Sequence, residues 1–134
     1  MDEPTFIEIP GKPFAKQRAR VGKWGAYTPK PTVDHEADIA ARTKDAFAEP
    51  LEGPVSVEIR AIFEPPKSWT KKKTQELLWR AHTQRPDLDN VAKSILDGMN
   101  GIAFNDDSQV ADLRVIKLWG APAKTLVRIE GLAG

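Results

Sequence analysis

The sequence predicts a small mixed α/β domain of the α+β type, a sheet of about four strands with helices packed mainly on one face. Two patterns carry that expectation. Val55, Val57, Ile59, Ala61 and Phe63 alternate with Ser56, Glu58 and Arg60, the period of a half-buried strand. Leu88, Val91, Ala92, Ile95, Leu96 and Met99 recur at helical spacing, with Gly101 beyond the end. With 134 residues, 40% of them hydrophobic, residues 1–134 can build one core as a single domain.

The remaining elements follow in chain order. Thr5 to Ile9 alternates as a short strand, and a basic segment broken by Pro10, Gly11, Pro13, Gly22, Gly25 and Pro29 follows it. Pro31 to Ala48 reads as a helix with Val33, Ala37, Ala40, Ala41 and Phe47 on its inner side, ended by Pro50 and Gly53. The Val55 strand stops at Pro65 and Pro66. Thr70 to Ala81 has helical composition, with Leu77, Leu78 and Ala81 turned inward and Lys71 to Lys73 outward. Gln109 to Trp119 and Lys124 to Glu130 are the last two expected strands.

Composition removes several chemistries. There is no cysteine, which excludes disulfides, zinc thiolate sites and thiol nucleophiles. The two histidines, His35 and His82, are too few for a histidine-rich metal centre, so any metal must be held mainly by oxygen. No apolar run is long enough to span a bilayer, and the first residues lack the basic and apolar regions of a signal peptide. A cytoplasmic protein with no membrane association is expected.

The net charge of +1 hides a segregated distribution. Lys12, Lys16, Arg18, Arg20, Lys23 and Lys30 lie between Gly11 and Lys30 without a single acid. Lys67, Lys71, Lys72, Lys73, Arg80 and Arg85 face only Glu76 in the next basic stretch. From Asp87 to Asp112 the sign reverses, with Asp87, Asp89, Asp97, Asp106, Asp107 and Asp112 against Lys93. A basic stretch is often only a solvated surface. The first one also carries Phe14, Trp24 and Tyr27, whose flat faces suit stacking on bases if they do not fold back onto the core.

The most informative stretch is Arg85-Pro86-Asp87-Leu88-Asp89-Asn90. Pro86 disfavours helix before it, so Asp87 and Asp89 flank a change from extended chain to helix. In extended chain, residues i and i+2 point the same way, which lets both carboxylates converge on one ion. A divalent cation offsets their mutual repulsion, and magnesium accepts a few carboxylates completed by water and phosphate oxygens. Lys93 shares a helix face with Asp89. Asn105-Asp106-Asp107-Ser108 offers a third carboxylate if its loop folds back to the helix start. Plainer roles are open for each: Asp89 or Asn90 as an N-cap, Asn105 to Asp107 as turn residues. A calcium EF-hand loop starting at Asp87 fails, because Ala92 and Gly98 stand where its glycine and bidentate glutamate belong.

At these residues the sequence resembles the RusA family of Holliday junction resolvases, crossover junction endodeoxyribonucleases of bacteria and their prophages. Gly11-Lys12-Pro13, Lys16, Arg18, Arg20 and Tyr27-Thr28-Pro29 are similar to the family's basic N-terminal loop. Arg85 to Asn90, Lys93, Leu96-Asp97 and Asp106 to Val110 are similar to its catalytic region, with Lys117 following. The resemblance implies a homodimer that binds four-way DNA junctions and makes paired symmetric nicks with Mg²⁺, Mn²⁺ substituting. It implies Asp87, Asp89 and Asp107 as catalytic metal ligands, Asp107 favoured over Asp106, and Lys93 as the essential lysine. Asp97 is expected in a structural or lysine-pairing role. Lys12, Lys16, Arg18, Arg20, Lys23, Lys71, Lys72, Lys73 and Arg85 are the expected DNA contacts. Two other readings stand beside this one: a junction-binding protein without effective catalysis, and a nuclease acting on other branched DNA.

Overall fold

In the computed structural model, which describes residues 3–132, the chain runs β1 (Thr5–Pro10), β2 (Arg20–Gly22), β3 (Gly25–Tyr27), α1 (Lys30–Ala46), β4 (Val55–Phe63), α2 (Lys71–Leu77), α3 (Leu88–Met99), β5 (Val110–Trp119) and β6 (Lys124–Gly131). Four strands form one mixed sheet in the order β1-β6-β4-β5, and β2 and β3 form a separate hairpin. Central β4 pairs antiparallel with β6 and parallel with β5. A parallel neighbour requires a crossover, which α2 and α3 supply.

The period-two expectation for β4 holds along its length. Val55, Val57, Ile59, Ala61 and Phe63 are each no more than 4% exposed, and with Ile7, Ile9, Val127 and Ile129 they make the covered face of the sheet. Val91, Ala92, Ile95 and Met99 of α3 are buried in the same core. α1 crosses α3 where a Cβ added at Gly98 would lie 2.7 Å from the Ile39 Cβ. Gly98 therefore sets the approach of the two helices, and an alanine there would overpack the contact at a cost of about 1–3 kcal/mol.

Four expectations are corrected. The inner face of α1 is Thr32, Ile39 and Thr43, while Val33, Ala37 and Ala41 are exposed. Both threonines are buried because their hydroxyls are bonded: Thr43 to the Ile39 carbonyl, and Thr32 with Gln17. The helix expected over Thr70 to Ala81 ends at Leu77; beyond it Trp79 to His82 runs along the outer edge of β5. His82 N donates to Lys117 O at 2.9 Å, Trp119 N to Arg80 O at 3.1 Å and Trp79 N to Trp119 O at 2.6 Å. Leu88, expected inside, is 44% exposed. The basic segment expected to be irregular contains the β2–β3 hairpin, whose Gly22↔Gly25 pairing leaves Lys23 and Trp24 at the tip. Among the described residues no helix is long and apolar enough to cross a membrane.

Candidate functional site

A cleft of about 590 Å³ opens at the start of α3, lined by Lys12, Arg18, Arg85, Pro86, Asp87 and Asn90. A second hollow of about 420 Å³ shares Lys12 and Arg85 with it and extends to Lys67 and His82. Asp87 is the acidic side chain of the first hollow and Glu64 that of the second, each among basic neighbours. Asp87 is the N-cap residue of α3, with extended backbone (φ −70°, ψ 147°), but its carboxylate makes no capping hydrogen bond. Asp89 follows in the first turn. The expected change from extended chain to helix falls between them, with the helix beginning at Leu88, and both carboxylates sit at its positive end, where free N–H groups favour anions.

Four bonds hold this end of α3 in place. The Lys117 ammonium donates to the Gln84 carbonyl and, at 2.6 Å, to the Pro86 carbonyl, gathering the turn that delivers Asp87. Lys16 N donates to Asn90 O at 3.0 Å, and Ser94 Oγ to Phe14 O at 3.0 Å, laying the basic segment along the helix. Lys93, one turn after Asp89, is exposed.

Asp107 stands elsewhere. It opens a short 3-10 helix, Asp107–Gln109, immediately before β5, and Gln109 Nε2 donates to the carbonyls of Leu51 and Gly53 beside the far end of α3. Two rulers give its distance from Asp87. The twelve residues of α3 span about 18 Å, and the strand from Lys117 back to Val110 spans about 23 Å. The loop does not fold back to the helix start within one chain. Among the described residues no three acidic or histidine side chains stand close enough to hold a metal ion together. Asp87 and Asp89 are hard oxygen donors of the kind magnesium accepts with water and phosphate completing the shell, so the donor chemistry fits but the set in one chain is two. Of the neighbouring pair, Asp106 is committed: its carboxylate accepts from Ser108 N at 3.1 Å, and hydrogen bonding from Ser108, its side chain first and then its backbone, holds the pKa below the ordinary value. The Asp107 carboxylate has no hydrogen bond among the described residues.

The expected DNA contacts divide. Lys12, Arg18 and Arg85 line the cleft. Arg20 and Lys23 are carried by the hairpin, where Trp24 is 93% exposed beneath the Lys23 ammonium, 5.5 Å from its ring. Phe14, in contrast, tucks back against His35. Lys71, Lys72 and Lys73 form the first turn of α2, with Lys73 over the Trp69 ring at 4.5 Å. Lys16 is engaged internally: its ammonium bonds Asp97 and lies 3.2 Å from Glu36, and the Asp97 bond raises its pKa. Asp97 is therefore a lysine partner.

Both histidines are packed against aromatic rings and favour their neutral forms. His82 stacks on Trp119 at 4.0 Å and against Phe63, with Nδ1 accepting from Gln84 N; burial and then the Lys117 charge lower its pKa. His35 is lowered by burial as well. The residue that sequence reasoning undervalued is Lys117. Its role depends on β5 passing beneath the Gln84 to Pro86 turn; in the sequence it shows as a lysine within an otherwise apolar strand end and as the residue that follows the resembled catalytic region.

Comparison with known proteins follows the same residues. A family model described as endodeoxyribonuclease RusA matches residues 10–130. The uncharacterized protein YqaN of Bacillus subtilis (strain 168) is 36% identical over 60% of this chain, and the match spans 59% of that protein's own length.

Proposed function

The chain belongs to the RusA family of endodeoxyribonucleases, and from that membership we propose that it is a magnesium-dependent endonuclease that resolves four-way DNA junctions by paired nicks. The observation that carries this reading furthest is the Asp87 carboxylate, without a hydrogen bond among the described residues, in a cleft whose lining includes Lys12, Arg18 and Arg85. Cations on both sides of an acid suit a substrate that is itself a polyanion, and backbone contact of this kind reads shape more than sequence.

The carboxylates of Asp87 and Asp89 would hold Mg²⁺, with Mn²⁺ able to replace it, and an ion so placed activates water and offsets charge at a phosphate. Lys93 assists electrostatically at the scissile phosphate from the next turn of the helix. Lys12, Arg18 and Arg85 grip the strand being cut, while Arg20, Lys23 and Lys71 to Lys73 hold the arms. Asp107 is the third carboxylate of the set. Since α3 keeps it a helix length away from Asp87, it completes the site of a second copy, and two copies related by a twofold axis supply two sites for two nicks.

A synthetic four-way junction with and without Mg²⁺ tests this, with flap, fork and linear duplex as controls. Asp107→Asn is expected to abolish cutting while junction binding is largely retained. Full magnesium-dependent cutting by that variant removes Asp107 from the mechanism. Binding without cutting by the wild-type chain favours a junction-binding protein, and preferential cutting of flaps or forks favours another branched substrate.

A further inference from the structure

The hollow that adjoins the Asp87 cleft has an aromatic floor. Phe63, His82 and Trp119 line it with their rings packed together, His82 lying 4.4 Å from Phe63 and 4.0 Å from Trp119 between centroids. Its rim is the turn that follows β4, held by Gly120 N donating to Phe63 O at 2.9 Å and Trp69 N to Pro66 O at 3.1 Å. The hollow stands formed without a ligand, and its volume of about 420 Å³ is that of a small-molecule pocket. Lys12 and Arg85 line both spaces, so a strand gripped by them in the cleft runs past the mouth of the hollow.

Two polar groups there are unengaged. With Nδ1 accepting from Gln84 N, the ring proton of neutral His82 sits on Nε2, which has no hydrogen bond among the described residues and is not sealed as the His35 Nε2 is. The Glu64 carboxylate is exposed and makes no ion pair among the described residues, although Lys12, Lys67 and Arg85 line the same hollow. A carboxylate repels phosphate, so on a surface suited to a polyanion its partner must be something else. The exocyclic amino group of a base is such a partner, because an acid accepts from it.

We propose that this hollow is a nucleobase pocket that reads an amino-bearing base, cytosine or adenine, beside the scissile phosphate. Glu64 accepts from the exocyclic amino group, and His82 Nε2 donates to the ring nitrogen next to it, a pattern that guanine and thymine present in reverse. A duplex keeps that edge paired and stacked, whereas an unpaired base at a branch leaves the stack with less loss, which ties the pocket to branched substrates. The inference rests on the nuclease reading for its ligand. To a backbone grip that reads shape it adds two residues that favour one position over its neighbours.

The test uses the full chain and a panel of fixed four-way junctions in which each base flanking the branch is varied in turn. Affinity is read by gel shift without Mg²⁺, and cutting is read with it. Cytosine or adenine at one position is expected to be favoured about tenfold over guanine or thymine in both readouts. Deleting only the amino group, with purine in place of adenine or zebularine in place of cytosine, is expected to lose that same factor. Glu64→Ala is expected to level the four bases to within about threefold and to make the amino deletion silent, whereas Glu49→Gln, at an exposed acid outside the hollow, keeps the preference. His82→Phe, which keeps a ring beside Trp119 but loses the donor, is expected to weaken the preference in the same way, with circular dichroism checking the fold. Equal treatment of the four bases by the wild-type chain, a preference for guanine or thymine, or a preference that either pocket variant leaves intact overturns the pocket, whether or not junctions are cut. A preference in affinity that Glu64→Ala removes, with no cutting in Mg²⁺, keeps the pocket and overturns the nuclease reading.

Discussion

Lys117 touches no substrate in the proposed mechanism, yet it holds two carbonyls of the turn that ends at Asp87. It is a positioning residue. Lys117→Met keeps much of the side chain's length and apolar stem but loses the donor. It is expected to lower cleavage by about a hundredfold, the scale of a misplacement near one ångström. Junction affinity, read by gel shift, should change little, which separates displacement of Asp87 from loss of DNA binding. A second prediction belongs to the histidines. Both have pKa values lowered by burial in the folded chain, so the fold favours their neutral forms. Their contribution is complete above the unfolded value near 6.5 and is lost as pH falls below it, because the unfolded chain then binds the protons. The melting temperature should drop between pH 7.5 and 5.5, above the carboxylate range, and a flat profile would show that the imidazoles charge freely in the native state.

At the level of elements, the hairpin β2–β3 is where the basic segment meets solvent with an aromatic tip. Trp24→Ala removes one stacking face, worth about 1–3 kcal/mol if a base rests on it; junction dissociation constants are then expected to rise roughly tenfold, with magnesium-dependent turnover of bound junction unchanged. How far such elements were legible depends on what their side chains say locally. β4 and α3 were readable because a single buried face stamps its period on the sequence. The facing of α1 was not: its alanines weigh almost nothing, and the side is decided by Ile39 fitting Gly98 and by two threonines whose hydroxyls find partners. The end of α2 was hidden for a related reason, since Trp79 to His82 leaves the helix to bond with a strand almost 40 positions away. The acid pair at Asp87 and Asp89 was visible in sequence, but the placement of Asp107 was not. Spacing along the chain revealed the helix in between, but not whether the connection after Met99 returns along it.

For the whole molecule, that separation has a genetic signature. Asp87→Asn and Asp107→Asn are each expected to be inactive alone. Mixed under conditions that let subunits exchange, they should recover about a quarter of wild-type sites, since half the dimers are mixed and each mixed dimer has one intact site. The product should be a single nick, measured on a junction labelled in both cleavable strands. No recovery, with exchange verified by size, would place all three carboxylates in one chain after all.

The rigid run of α3 also has a consequence for where DNA is cut. If each centre takes Asp87 and Asp89 from one end of a helix and Asp107 from the far end of its twin, the interval between two cuts is gauged by helix rise, not by base identity. Residues inserted into α3 would re-space the incisions and rotate the acid pair out of phase unless they came in whole turns, about 5.4 Å each. Residues inserted into the connection after Met99 could loop outward and leave the gauge untouched. The molecule's cutting pattern is in this sense a length, written in the backbone of one helix.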